Sequence, residues 1–383
     1  MDFELSQEQL QIKDEVKEFC EKEFRPEVAI EFERKEEYPI EIYRRAAKLG
    51  LTCISVPKEY GGRGLGFFES CLVVEEMCKA DSTLGVAVST GNYGSDLILT
   101  YGTEEQKERY LPPICRGEYL SSAAFTEPDT GSDITHIKTT ALRFGKEWRL
   151  NGTKSFILNA PLANFIVVLA QTDIDANPPY KGETLFVVEK GTPGLFVKNQ
   201  SGKMGIRCCV TGEVTLKDVR VTDWNLVGEL NRGFYNALSF LDKYRVFVAA
   251  QATGMAQGAW EIAFKYAKGK HIEGQPLLHH QAIGFPLAEI ATKVEAARLL
   301  TYKAAKLIDM NRMDPMLSAM AKLYASRVAV EATDFAIQTL GGKGYFSEYR
   351  VERYHRDAKV TEIYEGTSEI QRLTILKYLI KRF

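Results

Sequence analysis

The chain lacks any excess of basic residues: 49 Lys and Arg against 51 Asp and Glu leave a formal charge of −2. That balance supplies no broad cationic surface for a nucleic acid or an anionic membrane. Its seven cysteines include no Cys-x-x-Cys pair and no metal-ligand spacing, so buried, reduced thiols in a cytoplasmic protein are expected, with no metal. No apolar run approaches the length of a membrane span. The N-terminal stretch MDFELSQEQLQIKDEV is charged from its second residue and contains no hydrophobic signal segment. Internal repeats and low-complexity tracts are also missing.

What is present is an ordinary globular composition, 45% hydrophobic and 26% charged over 383 residues, enough for two or three sub-domains packed together. Residues 1–118 carry apolar positions at helical spacing, with Ser6 as the expected first N-cap and Glu59 to Gly66 as a glycine-rich interruption. Residues 119–230 change to short runs rich in Val, Ile, Thr and Phe, with turns expected at Asn151-Gly152 and Pro193-Gly194. Residues 231–383 return to helical spacing, notably over Ala282 to Met310 and Pro315 to Leu340, the latter ended by Gly341-Gly342. The order helical, β, helical predicts an α+β multidomain protein.

Five segments carry chemistry. The first, Ala124-Phe-Thr-Glu-Pro-Asp-Thr-Gly-Ser-Asp133, combines hydroxyls, carboxylates and a Gly-Ser turn, and reads either as a cradle for a pyrophosphate or as a capped loop. The others are Trp148 to Asn159 (WRLNGTKSFILN), Lys203-Met-Gly-Ile-Arg207, Gln338-Thr-Leu-Gly-Gly-Lys-Gly-Tyr345, and Arg356 to Arg372 (RDAKVTEIYEGTSEIQR). Each alone is weak. In this order and spacing they resemble the acyl-CoA dehydrogenase family over nearly the whole chain. The resemblance implies an N-terminal helical domain, a middle β-barrel-like domain and a C-terminal four-helix bundle, assembled as a homotetramer. It also implies FAD as cofactor, an acyl-CoA as substrate and an electron-transferring flavoprotein as partner.

Carried over residue by residue, the resemblance makes Glu365 of Ile-Tyr-Glu-Gly-Thr the base that removes the α-proton. The bland reading of Glu365 is a helix-capping carboxylate before Gly-Thr-Ser. Tyr364 and Gly366 flank it as substrate-binding positions. Some members place the base just before the arginine of an Asp-x-x-Arg motif; here Asp242-Lys-Tyr-Arg245 has Tyr244 at that point, and Asp242 and Arg245 match contacts to the CoA portion. For the flavin the matches are Phe125, Thr126, Ser132 (which also faces substrate) and Phe156, with Thr367 and Glu369 toward the adenosine half. Gln281, Gln338, Gly341 and Gly342 match positions given by a neighbouring subunit.

Three departures stand out. Leu158 replaces the hydroxyl residue that bonds the flavin ring, so that contact is backbone only or missing. Lys270 and Glu273 replace an arginine and a phenylalanine near the pyrophosphate and adenine, which predicts weaker FAD retention or a changed orientation of the adenine end. His136 stands where a small residue is usual and reads as a surface or packing residue. Register places Leu84, Gly85, Val86, Ser89 and Tyr93 along the acyl cavity. Leu84 in place of an arginine disfavours a dicarboxylyl substrate, Tyr93 is expected to floor the pocket, and Gly85 with Val86 to leave width for a branched or cyclic group. Asp96 is expected to be solvated or capping. The alternatives are an acyl-CoA oxidase, an enoyl-CoA-reducing member, or a flavin-poor acyl-CoA-binding subunit.

Overall fold

The computed structural model describes residues 4–382. Its first part is helical: α1 (Gln7–Glu23), α2 (Pro26–Lys35), α3 (Ile40–Lys48), α4 (Phe67–Ala80), α5 (Ser82–Ser89), α6 (Ser95–Tyr101) and α7 (Glu104–Cys115). Ser6 caps α1 as expected: its Oγ accepts from the Gln9 N–H at 3.2 Å while the Gln9 side chain accepts from the Ser6 N–H at 3.0 Å. The glycine-rich stretch lies in the loop between α3 and α4. Helices α4 and α5 are buried nearly all round, and the buried carboxylates of α4, Glu75 and Glu76, are paired with Arg298 and Lys13.

The middle part is one sheet of eight strands: β1 (Ser121–Ala124), β2 (Thr140–Phe144), β3 (Glu147–Leu158), β4 (Phe165–Gln171), β5 (Glu183–Glu189), β6 (Leu195–Asn199), β7 (Thr211–Thr222) and β8 (Leu226–Val227). The order is β6-β7-β3-β2-β4-β5-β8, and β1 lies parallel to β4. The run Phe165 to Ala170 of β4 is apolar throughout because both its faces are covered. Phe165, Val167 and Leu169 point into the core shared with the helices, and Ile166, Val168 and Ala170 into a second core with Trp148, Leu150, Phe186 and Val214.

The turn expected at Asn151-Gly152 is not one. Both residues lie inside β3, at a bulge against β7 where the register shifts between Leu150 and Gly152. A Cβ at Gly152 would sit 2.4 Å from Thr139 Oγ1, so the glycine is there for close approach. The Asn151 side chain accepts from the Asp218 N–H at 2.8 Å. The Pro193-Gly194 turn lies between β5 and β6 as expected.

Helices then resume with α8 (Gly233–Gly269), followed by the two-stranded hairpin β9 (His271–Ile272) and β10 (Gln275–Pro276), then α9 (Gln281–Asp309), α10 (Pro315–Leu340), α11 (Val351–Val360) and α12 (Ser368–Arg382). At 37 residues, α8 is about 55 Å long. Its alanine-rich middle packs against α4 on one side and α10 on another, so the two helical parts share a single core. All seven cysteines are buried and unpaired, and no described helix is long and apolar enough to cross a membrane.

Candidate active site

Glu365 sits on the tight turn between α11 and α12, where it and Gly366 are consecutive left-handed residues, at φ 53° and 90°. Left-handed backbone is strained for a side chain with a Cβ, so the turn has to be held from outside. It is held from three helices. Lys322 Nζ, from α10, donates to the Gly366 carbonyl at 2.8 Å. Gln371 Nε2, from α12, donates to the same carbonyl at 2.7 Å and to that of Glu365 at 3.2 Å. The Tyr364 hydroxyl donates to Gln251 of α8 at 2.6 Å. A Cβ at Gly366 would meet Gln371 Nε2 at 2.8 Å, so both conformation and space call for glycine there.

The two carboxylate oxygens of Glu365 have different surroundings. Oε1 accepts a hydrogen bond from the Tyr93 hydroxyl at 2.7 Å; Oε2 is buried with no hydrogen-bond partner. Burial raises the pKa of Glu365, against the opposing pull of the Tyr93 hydrogen bond and of the Lys322 and Arg245 charges. The reciprocal effect falls on Lys322, which is 0% exposed. Burial drives its pKa down to about 7, the Glu365 charge resists this, and Arg245 adds to it. Arg245 is itself paired with Asp242, whose carboxyl is raised by burial and eased back by the arginine. Tyr244, where the alternative base would stand, is buried and packed between Phe240 and Phe247, with ring centroids 4.3 and 5.4 Å away.

The segment from Phe125 to Asp133 is a fixed loop. Glu127 accepts from the backbone N–H groups of Lys138 and Thr139 at 2.7 and 2.9 Å and from the fully buried Lys154 at 2.9 Å. Burial would raise its carboxyl, yet Lys154 and these donors hold it below the usual range. Phe125 is buried against Phe240, the Thr126 carbonyl accepts from the Ser155 N–H, and Ser132 is exposed. Phe156 is 70% exposed at φ 60°, an aromatic face that the strand turns outward. A flat apolar face beside a loop with free hydroxyls suits a planar ring system joined to a polar tail. At Leu158 the carbonyl accepts from Ser122 Oγ at 2.5 Å, so the nearest hydroxyl is already committed.

A second group of sequence-derived positions lies at the far ends of the long helices. Lys270 follows α8, Glu273 forms the β9–β10 turn at φ 52°, Gln281 opens α9, Gln338 is in the last turn of α10, and Gly341-Gly342 follow it. All are exposed, and a Cβ on either glycine would meet nothing within 4 Å. Thr367 accepts from the Ile370 N–H at 3.4 Å at the start of α12, and Glu369 pairs with Arg372 at 2.8 Å.

Several expectations change. Tyr93 reaches the Glu365 carboxylate itself. Gly85 packs on the backbone of α4, where a Cβ would come within 2.7 Å of Cys78 Cα; its smallness serves helix contact and leaves no width for a substrate. Asp96 is neither solvated nor capping: it pairs with Lys243 at 2.8 Å, and with Ser89, Tyr244 and Phe247 it lines a small cavity. Leu84 and Val86 are fully buried. His136 is an exposed residue paired with Asp133. Sequence reasoning missed Lys322 and Gln371. A signal for Lys322 was present, since it is a lone cation on the helical face formed by Ser318, Ala325, Ser326 and Ala329.

Models of the acyl-CoA dehydrogenase N-terminal, middle and C-terminal domains match residues 6–118, 122–219 and 231–380. The caffeyl-CoA reductase-Etf complex subunit CarC of Acetobacterium woodii is 40% identical, over 98% of this chain and 99% of its own. The NADH-dependent acryloyl-CoA reductase of Anaerotignum propionicum is 41% identical, over 100% and 97%. The solved butyryl-CoA dehydrogenase of Megasphaera elsdenii, 37% identical, superposes over 99% of this chain and 100% of its own with a TM-score of 0.94. Members of this group are FAD-dependent oxidoreductases. Over its whole length the chain belongs to the acyl-CoA dehydrogenase family.

Proposed function

We propose that the chain dehydrogenates a short or medium acyl-CoA between its α and β carbons, with Glu365 as the base and an electron-transferring flavoprotein as electron acceptor. The observation that carries this reading is the desolvated Glu365 carboxylate, one of whose oxygens is buried and unbonded. Desolvation brings a carboxylate toward the basicity that an α-proton requires. The left-handed turn presents the Glu365 N–H as a donor to the thioester carbonyl, lowering the cost of the negative charge that grows there. Arg245, held by Asp242, attracts the CoA portion, while Tyr364 and Gly366 shape the approach to the carboxylate and Ser132 faces the substrate from the loop.

FAD, when bound, supplies the acceptor for the β-hydride, which no side chain can provide. Phe125, Thr126, Ser132 and Phe156 hold its ring end, with Leu158 contributing only backbone, and Thr367 and Glu369 serve its adenosine half. Lys270, Gln281, Gln338, Gly341 and Gly342 serve the cofactor of a neighbouring copy, so the working form is an oligomer; the family resemblance makes it a homotetramer, and the cytoplasm is its expected location. Removing the α-proton to Glu365 leaves its electron pair to form the new double bond as the β-hydride departs.

A second reading runs the same chemistry toward the saturated product. It is favoured by reductases among the relatives and by the raised Glu365, which is better able than an ordinary carboxylate to hold a proton for the α-carbon. The test is anaerobic titration with butyryl-, hexanoyl-, isobutyryl- and cyclohexanoyl-CoA, followed by flavin bleaching. Rapid bleaching by one ester is expected, and none in Glu365→Gln. Bleaching that survives in the variant moves the base elsewhere. Oxidation of reduced enzyme by the enoyl-CoA, much faster than bleaching by its saturated partner, selects the second reading.

A further inference from the structure

The asymmetry at Glu365 concerns individual atoms. Tyr93, between α5 and α6, is 7% exposed, and its ring is fixed edge-on against Phe240 and Tyr244 of α8 at 5.4 and 4.9 Å. Its hydroxyl therefore has little freedom and meets one carboxylate oxygen, at 2.7 Å. The other oxygen is buried with no donor. A buried acceptor without a partner is unfavourable unless something arrives to bond it. In a base, what arrives is the substrate's proton.

We propose that Tyr93 is a positioning residue for the reaction, its hydroxyl holding Oε1 of Glu365 so that Oε2 is the atom that takes the α-proton. The proposal rests on Glu365 being the base. In the step, the α C–H bond breaks, an O–H bond forms at Oε2, and the electron pair stays on the α-carbon. The hydrogen bond at Oε1 stabilises the ionised carboxylate and fixes its plane. The other charged or titratable groups facing Glu365 are Lys322 from α10 and Arg245 from α8, with Tyr244 and Tyr364 beside the Tyr93 hydroxyl.

The test separates proton removal from hydride transfer. Acetyl-CoA has no β-hydrogen, so exchange of its α-hydrogens in D2O, followed by mass spectrometry across a pH series on the holoenzyme, reports the base alone. Tyr93→Phe keeps the ring and its packing and removes only the donor. Its exchange profile is expected to shift about one unit to higher pH, leaving exchange about tenfold slower on the acid limb of the profile and converging with wild type on the plateau where both carboxylates are ionised. A thermal melt close to that of wild type establishes that the fold is intact. If the Tyr93→Phe profile superimposes on wild type while Glu365→Gln is silent, the Tyr93 assignment is overturned and the base stands. If Glu365→Gln exchanges as fast as wild type, the base assignment fails and takes this one with it.

Discussion

The turn around Glu365 and the open ends of α8 and α10 are two halves of one proposed site, and they are built in opposite ways. At the turn, carbonyl oxygens, carboxylate and hydroxyl are bonded to residues from α8, α10, α12 and the α5–α6 connection. At Lys270, Gln281, Gln338 and Gly341-Gly342 the residues are exposed, and open space lies over the glycines. One half is preorganised within a single chain, where catalysis benefits most from fixed dipoles. The other half is an exposed surface, which the proposed function completes with a neighbouring copy.

The sharpest way to break the comparison is at the base. Glu365→Gln is expected to lower the rate of flavin reduction by at least about 10³-fold with little change in melting temperature, as stopped-flow and calorimetry would record. A rate loss under tenfold would mean that the preorganised half is not where the chemistry occurs.

Next in size is Gly366→Ala. The φ of 90° and the 2.8 Å approach to Gln371 predict a loss of about 1–3 kcal/mol in stability, measurable by urea unfolding, together with a slower reaction. The same substitution at Gly342, over open space, is expected to change stability by under about 0.5 kcal/mol.

Lys322→Met probes the same turn through pH. The lysine titrates at about 7 when folded against roughly 10.4 when unfolded. Between these values the unfolded state binds more protons, so this group makes wild-type stability rise as pH increases through that window. Urea melts at pH 7 and 9 should show wild type gaining on the variant; parallel curves would mean that Lys322 is not held in this state.

The smallest effect belongs to the open half. Dilution to nanomolar protein is expected to release FAD, seen as a gain in flavin fluorescence. Lys270→Arg should slow that release by a few-fold, because a guanidinium grips a phosphate with two parallel hydrogen bonds. Equal retention by both proteins at all concentrations would remove Lys270 from the cofactor site.

Much of the fold could be read locally. The limits expected for α9 and α10, the Ser6 cap and the change to strand spacing near Tyr119 all depend on residues a few positions apart. Asn151-Gly152 misled because the same two residues that favour a hairpin turn also suit a bulge, and what decides between them is Thr139, just before β2, pressing on Gly152. The position of Glu365 was legible through the order of short motifs. Its partners were not, since the Tyr93 and Lys322 contacts span 272 and 44 residues, the second counted to Gly366. Gly85 was misread for a related reason: its missing side chain faces a neighbouring helix, and nothing in a single helix's spacing says which neighbour will be there.

The hydrogen bond between Tyr93 and Glu365 also sets an order of events in the life of the molecule. It closes a loop of chain that contains the whole β-sheet and the three longest helices after it. Local folding of the α11–α12 turn can form the left-handed pair, but it cannot deliver the hydroxyl that tells one carboxylate oxygen from the other. A partly folded chain therefore carries a Glu365 whose two oxygens are alike, and they become distinct only when the first and last helical parts have met. With Glu365 as the proposed base, enzymatic competence would report completed folding.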